Sequence, residues 1–279
     1  MTENNPLQKY FRQPAIYIKL PSGGQFYPEG TLDMPQNGEI PIYPMTAMDE
    51  IMARTPDALF NGSAVMQIFK SCVPNIKDPW AIPQTDVDLL LTSIKIASYG
   101  HDMEMTVTCP HCKETQDYTI DLRTVVDKFQ SPDYSKGVQL GDLEVYFKPL
   151  NYHEINDTAK VQFEQQKTLQ ILENQEGATE EEKLTAMSTA LTKITELSLD
   201  AIANSISTIN VEGQPVTDPT HIKEFMINAN RDVFNRIRDH LTELRAKTEM
   251  EPLKIKCSDE KCLKEYTQPF TMDMSNFFE

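Results

Sequence analysis

The heptapeptide TCPHCKE, residues 108–114, holds Cys109 and Cys112 on either side of Pro110 and His111. Pro-His is the dipeptide between the cysteines of strongly oxidising thiol–disulfide enzymes, and the same quartet equally forms one half of a zinc knuckle. A redox thiol of that type sits at a helix N-terminus, where the helix dipole lowers its pKa. Here both flanks alternate instead: MEMTVT runs in, and Tyr118, Ile120 and Leu122 alternate with polar residues on the way out. Period-two alternation on both sides predicts a β-hairpin with the cysteines at its turn. A second pair, Cys257 and Cys262, follows the alternating LKIK and precedes Tyr266 and the stretch Phe270 to Met272. Two to four residues between paired thiols is the ordinary ligand spacing of structural zinc. Cys109, Cys112, Cys257 and Cys262 are therefore read as ligands of one Zn2+ in a four-Cys ribbon built from two hairpin knuckles. Such a shell is closed, which makes the ion a fold staple rather than a catalyst. His111 offers a substitute ligand that two full Cys pairs do not need.

Bulk properties narrow the field. The 279 residues suffice for one large or two ordinary domains without covalent staples. A formal charge of −16 repels phosphates and anionic lipid, so neither nucleic acid nor a membrane surface is expected as a partner. A basic protein partner suits such a surface, although solubility alone also accounts for it. MTENNPLQKYFRQPAIYIKL has no basic region followed by an apolar run, and no stretch is long and apolar enough to span a bilayer. A reducing cytosol is the expected compartment, in keeping with five cysteines, an odd number.

Along the chain, similar devices recur in the same order. GEIPIYPMTAMDEI (38–51) and GDLEVYFKPLNYHEI (141–155) each combine an alternating strand, a proline and a helix start. Thr46 with Asp49, and Asn151 with Glu154, have capping-box spacing. An apolar helix then leads to each knuckle: DVDLLLTSIKIASYG, stopped by Gly100, and HIKEFMINANRDVFNRIRDHLTEL, read as one helix. The expectation is an α+β chain, predominantly helical with short strands, carrying an internal duplication. Its parts are an extended N-terminal segment (1–40), a first strand-helix-knuckle half (41–140) and a second half (141–279). The second half holds an inserted helical hairpin over about 156–206, turning at Gly177, with Leu184, Met187, Leu191 and Ile194 at three-four spacing. Packing of that stripe on the rest of its domain is expected.

A search for chemistry returns little. Gly23-Gly24 lacks the Lys-Ser/Thr sequel of a phosphate loop, and no nucleophile elbow, zinc-protease helix, kinase set or dinucleotide fingerprint is present. Cys72, alone in FKSCVPN, reads as a small buried apolar residue. Met45, Met48 and Met52 offer an adaptable contact surface at most. No enzyme is expected.

The ordered series LPSGGQFYP, GEIPIYPMTAMDEI, TPDALFNGSAV, CVPN, SYG and CPHC resembles the baseplate hub assembly proteins of T-even-type contractile-tailed bacteriophages, over about residues 20–112. The resemblance implies a non-enzymatic role in building the tail hub, as an assembly factor or chaperone or as a retained component. It further implies contacts with hub or tape-measure proteins, and residence in the host cytoplasm during assembly or in the virion baseplate. A zinc-ribbon regulator of host machinery is the rival reading, and the lack of a basic groove weighs against it.

Overall fold

Isoleucines on alternate positions of IYI and IPI make two short strands, β1 (Ile16–Ile18) and β2 (Ile40–Ile42), which pair antiparallel with Ile16 opposite Ile42. The computed structural model containing them describes residues 6–53, 62–174, 179–248 and 252–269. Two compact units divide the chain: Met1–Ser131 with Thr248–Glu279, and Pro132–Lys247. This partition differs from the halves expected to meet at 140/141, because the last knuckle packs with the first one and so belongs to the first unit. No described helix is long and apolar enough to cross a membrane.

In the first unit, α1 (Ala47–Ala53), α2 (Ser63–Cys72) and α3 (Gln84–Tyr99) follow the strand pair. Helix α3 touches both strands and buries Val87, Leu90, Leu91 and Ile94. It ends where the sequence places its stop: Gly100 has φ 97°, a region that favours glycine, and its N–H reaches the Ile96 carbonyl. Ile40, Ile42, Ile68, Phe69, Leu90 and Ile94 are all buried. Each is worth about 1.5–3 kcal/mol relative to full exposure.

Residues 6–40, expected as part of an extended segment, are not a separate extended piece. Besides β1, buried polar groups tie them to the helices. Asp86, in the first turn of α3, accepts hydrogen bonds from the Ser22 N–H (2.9 Å), the Ser22 hydroxyl (2.6 Å) and the Tyr27 hydroxyl (3.0 Å). LPSGGQFYP is thus a loop folded around one carboxylate. Burial pushes the Asp86 carboxyl up, against the lowering effect of those donors, and it pushes the Tyr27 phenol up as well. Arg12 donates to the Ser71 carbonyl and hydroxyl, both at 2.7 Å, and pairs at 3.6 Å with buried Asp49. Asp49 also closes the expected capping box, accepting from the Thr46 N–H and hydroxyl, each at 2.8 Å. Cys72 is fully buried beside this network, its thiol pushed to about 12 by burial and by Asp49.

Two antiparallel strands, β3 (Asp102–Thr108) and β4 (Thr115–Asp121), form the first Cys hairpin, followed by the one-turn α4 (Leu122–Val126). The second Cys hairpin is β9 (Leu253–Lys256) with β10 (Glu265–Gln268). The strand expected over Phe270–Met272 lies outside the described residues, as do part of TPDALFNGSAV and the turn at Gly177.

The second unit is built on a four-stranded antiparallel sheet, in order β5 (Val138–Leu140), β6 (Leu143–Phe147), β7 (Ile206–Val211) and β8 (Gln214–Val216). Between the paired β6 and β7 the chain makes the long helices α5 (Tyr152–Asn174) and α6 (Glu180–Asn204), which pack on each other. Asn151 and Glu154 exchange capping-box bonds of 2.8 and 2.9 Å at the start of α5. The stretch expected as one long helix is two, α7 (Pro219–Asn228) and α8 (Arg231–Thr248). Asn230 causes the break: its side chain accepts from the Val233 N–H at 3.0 Å and restarts the helix as an N-cap. Leu140, Val145, Phe147, Ile206, Ile222, Met226, Ile237 and Leu241 form this unit's core. The α6 stripe does not join it at its far end: Leu184, Met187 and Leu191 are 70%, 53% and 52% exposed.

Removing the Asp86 carboxylate orphans the Ser22 and Tyr27 donors, so Asp86→Ala is expected to cost about 1–3 kcal/mol and Tyr27→Phe about 1 kcal/mol. Urea unfolding followed by tyrosine and tryptophan fluorescence measures both. A loss in Asp86→Ala no larger than that of an exposed-site control would contradict the assignment.

Candidate metal centre

Each knuckle is shaped by its own backbone. The Cys109 N–H donates to the Glu114 carbonyl and the Lys113 N–H returns to the Cys109 carbonyl, both at 2.9 Å. In the second knuckle the Cys257 N–H donates to the Lys264 carbonyl at 2.9 Å, and the Leu263 N–H reaches the Asp259 carbonyl at 3.0 Å. The residue after the second cysteine is left-handed in both turns, Lys113 at φ 65° and Leu263 at φ 48°. Neither is a glycine, so both turns hold a costly conformation, and both use it at the same point.

The hairpins meet through a small apolar cluster in which Val107, Cys109, Ile255, Cys257 and Tyr266 are buried. Met105, Tyr118 and Leu253 close its edges. One side chain spans the two hairpins by hydrogen bonds: the Gln116 amide donates to the Lys256 carbonyl at 3.2 Å and accepts from the Ser258 N–H at 2.6 Å.

That packing brings all four predicted cysteines together, their sulfurs within 4.8 Å of one another. Cys109 and Cys262 are 3.9 Å apart, Cys112 and Cys257 3.6 Å. A disulfide needs about 2.05 Å, and the four are free thiols. Metal–thiolate bonds of about 2.3 Å arranged tetrahedrally set sulfurs about 3.8 Å apart. These two separations match that edge and all four sulfurs lie within 4.8 Å, so the group could hold one metal ion. His111, exposed, is not part of the group.

The crowded thiols are unequal in acidity. Burial raises the Cys109 thiol, but backbone N–H groups of Cys112 and His111 directed at its sulfur outweigh this and bring it to about 7. The Asp259 N–H favours the Cys257 thiolate, yet burial and the three neighbouring sulfurs hold the thiol at about 12. Four thiolates this close repel one another, and a divalent ion removes that repulsion.

Cys109 and Cys112 lie at the turn of a hairpin and are followed directly by strand β4, so they lack the helix N-terminus on which a redox thiol of the thioredoxin type sits. The described histidines do not assemble elsewhere: His153 pairs with Asp157 at 3.0 Å, and His240 lies on Phe147, ring centres 4.9 Å apart. Gln116 escaped the reading of the sequence, because nothing local marks an amide that bonds across hairpins so distant in the chain.

A family model described as T4 bacteriophage base plate protein matches residues 14–279. The match reaches far beyond the short motifs of residues 20–112 and includes both knuckles. No curated protein and no solved structure matches the chain.

Gln116→Ala is expected to loosen the hairpin junction before it unfolds the unit. Hydrogen exchange at the Ser258 amide should quicken by about fivefold to tenfold, the equivalent of one lost hydrogen bond. Unchanged exchange there would show that the amide bridge contributes nothing.

Proposed function

The chain belongs to the T4 bacteriophage base plate protein family, and from that membership we propose that it is a non-enzymatic assembly factor of the baseplate hub. Membership supports a structural or assembly role in a baseplate and contact with other tail proteins. The finer reading is a chaperone or adaptor that binds hub or tape-measure proteins in the host cytoplasm while the tail is built. The family match over nearly the whole chain carries it. The net charge of −16 supports a protein partner over nucleic acid and speaks against the rival regulator of host machinery.

The metal in this reading is zinc, held by Cys109, Cys112, Cys257 and Cys262. Zinc suits a set of four thiolates and would supply no catalysis here, since no coordination position stays open. What these residues do is join hairpins more than a hundred residues apart in sequence. A display surface for a partner is kept rigid in that way, at a place where two separate two-stranded hairpins meet.

A second reading, permanent residence in the virion as a component, is favoured by the family's description as base plate protein. Mass spectrometry of finished particles beside assembly intermediates separates the two. Presence in intermediates alone is the outcome expected of a chaperone, and stoichiometric presence in both would replace that reading with the component.

Purified protein should contain about one zinc per chain by elemental analysis, and Cys257→Ser should lose most of it. Chelation should lower the melting temperature and expose the 252–269 region to protease. Acidification should release the ion as thiolates take up protons, because only the thiolate binds. Metal-free protein that melts as high as the native form would remove zinc from this account.

A further inference from the structure

The sulfur quartet has an internal pattern that metal binding does not require. Its two close contacts, Cys109–Cys262 at 3.9 Å and Cys112–Cys257 at 3.6 Å, both run from one hairpin to the other and use each thiol once. Each contact also joins a buried sulfur to a half-buried one: Cys109 and Cys257 are buried, whereas Cys262 and Cys112 are half-buried. A small oxidant therefore reaches one member of each pair from solvent, and the other lies beside it as a resolving thiol. Approach to the disulfide length of about 2.05 Å takes about 1.6 Å in one pair and about 1.9 Å in the other, under about 1 Å for each sulfur.

The hairpins keep this register without help from the sulfurs. Val107, Ile255 and Tyr266 are buried together at the junction. Gln116 bonds across it to the Lys256 carbonyl and the Ser258 N–H. Those two groups flank Cys257 in the chain, so the amide fixes that cysteine against the first hairpin.

We propose that the quartet is also an oxidation site, at which peroxide closes Cys112–Cys257 and Cys109–Cys262 as two disulfides and turns a metal clip into a covalent one. The proposal rests on the four-thiol site of the zinc reading, and on neither the metal's identity nor the assembly role. In each pair the half-buried sulfur attacks one peroxide oxygen and the O–O bond breaks, giving a sulfenic acid and water. The buried partner attacks that sulfur, the S–O bond breaks and a second water leaves. Two thiols are thereby oxidised by two electrons, and one peroxide is reduced to two waters. The thiol protons end in water, and solvent supplies them where an ion had displaced them. A bound ion loses its ligands as the pairs form. The chain is itself oxidised here and oxidises no substrate, so the helix N-terminus of a thioredoxin-type thiol is not needed.

Full-length protein assayed for zinc, treated with hydrogen peroxide and run on a denaturing gel without reductant tests the site. The two disulfides span sequence separations of 145 and 153 residues, so the oxidised chain should migrate faster until dithiothreitol is added. Tryptic mapping should find residues 96–113 linked to 257–261 and 262–264. The pair of substitutions Cys109→Ser and Cys262→Ser leaves Cys112 with Cys257. It should cross-link about fivefold faster than Cys109→Ser with Cys257→Ser, which leaves Cys112 with Cys262. Circular dichroism verifies that both variants fold, and the wild-type gel and map decide independently of them. Disulfides confined to Cys109–Cys112 and Cys257–Cys262, with unshifted migration, would overturn the proposal. So would thiols that resist peroxide until the chain is unfolded. Cross-links formed by protein that held no zinc would sink the zinc reading and leave this one. Zinc present with no cross-link does the reverse.

Discussion

Contact between two cysteine hairpins decides how this chain is organised. Val107, Ile255 and Tyr266 bury one another, and the four sulfurs gather within 4.8 Å as a result. That junction returns the C-terminal strands to the unit made by the N-terminal residues, so the second unit is an insertion between β4–α4 and β9. Closing so long a loop is not prohibitive, since each doubling of loop length adds only about 0.6 kcal/mol. The apolar cluster at the junction is small, however. An ion binding to four thiolates releases on the order of 10 kcal/mol, far more than a few partly buried side chains supply. The magnitude argues that the junction's strength would come from the metal and its geometry from the hairpins.

Beneath the junction, the first unit relies on a second device, buried polar groups that each have several partners. Asp86 takes three donors from one loop, and Arg12 joins Ser71 to Asp49. Such groups add little net stability, but they penalise any arrangement in which a partner is missing. Short strands and an irregular N-terminal segment need that kind of constraint. Aliphatic packing alone tolerates several arrangements, whereas an Asp with its three donors accepts one.

What the sequence revealed and what it hid divide along the range of the interactions. Signals that act within a few residues were legible: both capping boxes, the Gly100 stop, the alternation around each Cys pair. The cysteine site was legible for a different reason, since thiol spacing announces a ligand set wherever the chain goes. Contacts between distant residues left no trace. Ser22 and Tyr27 look like ordinary loop residues until Asp86 is seen between them. Of the β5–β8 sheet only β6 was legible, as the alternating strand in GDLEVYFKPL; β5, β7 and β8 were missed because their turns, at Gly141 and at Glu212-Gly213, were not weighed against the helical segments that surround them. The break at Asn230 was missed because apolar periodicity runs straight through it, while the cap that restarts the helix is a single side-chain bond.

The α6 stripe shows the limit of periodicity from the other side. Leu184, Met187 and Leu191 have the spacing of a core-facing helix, and their spacing is real, but among the described residues these three remain mostly exposed. Periodicity records that a face is apolar and not what covers it. Burying three such side chains would release several kcal/mol at about 25 cal/mol per Å², so leaving them in water works against a solitary domain.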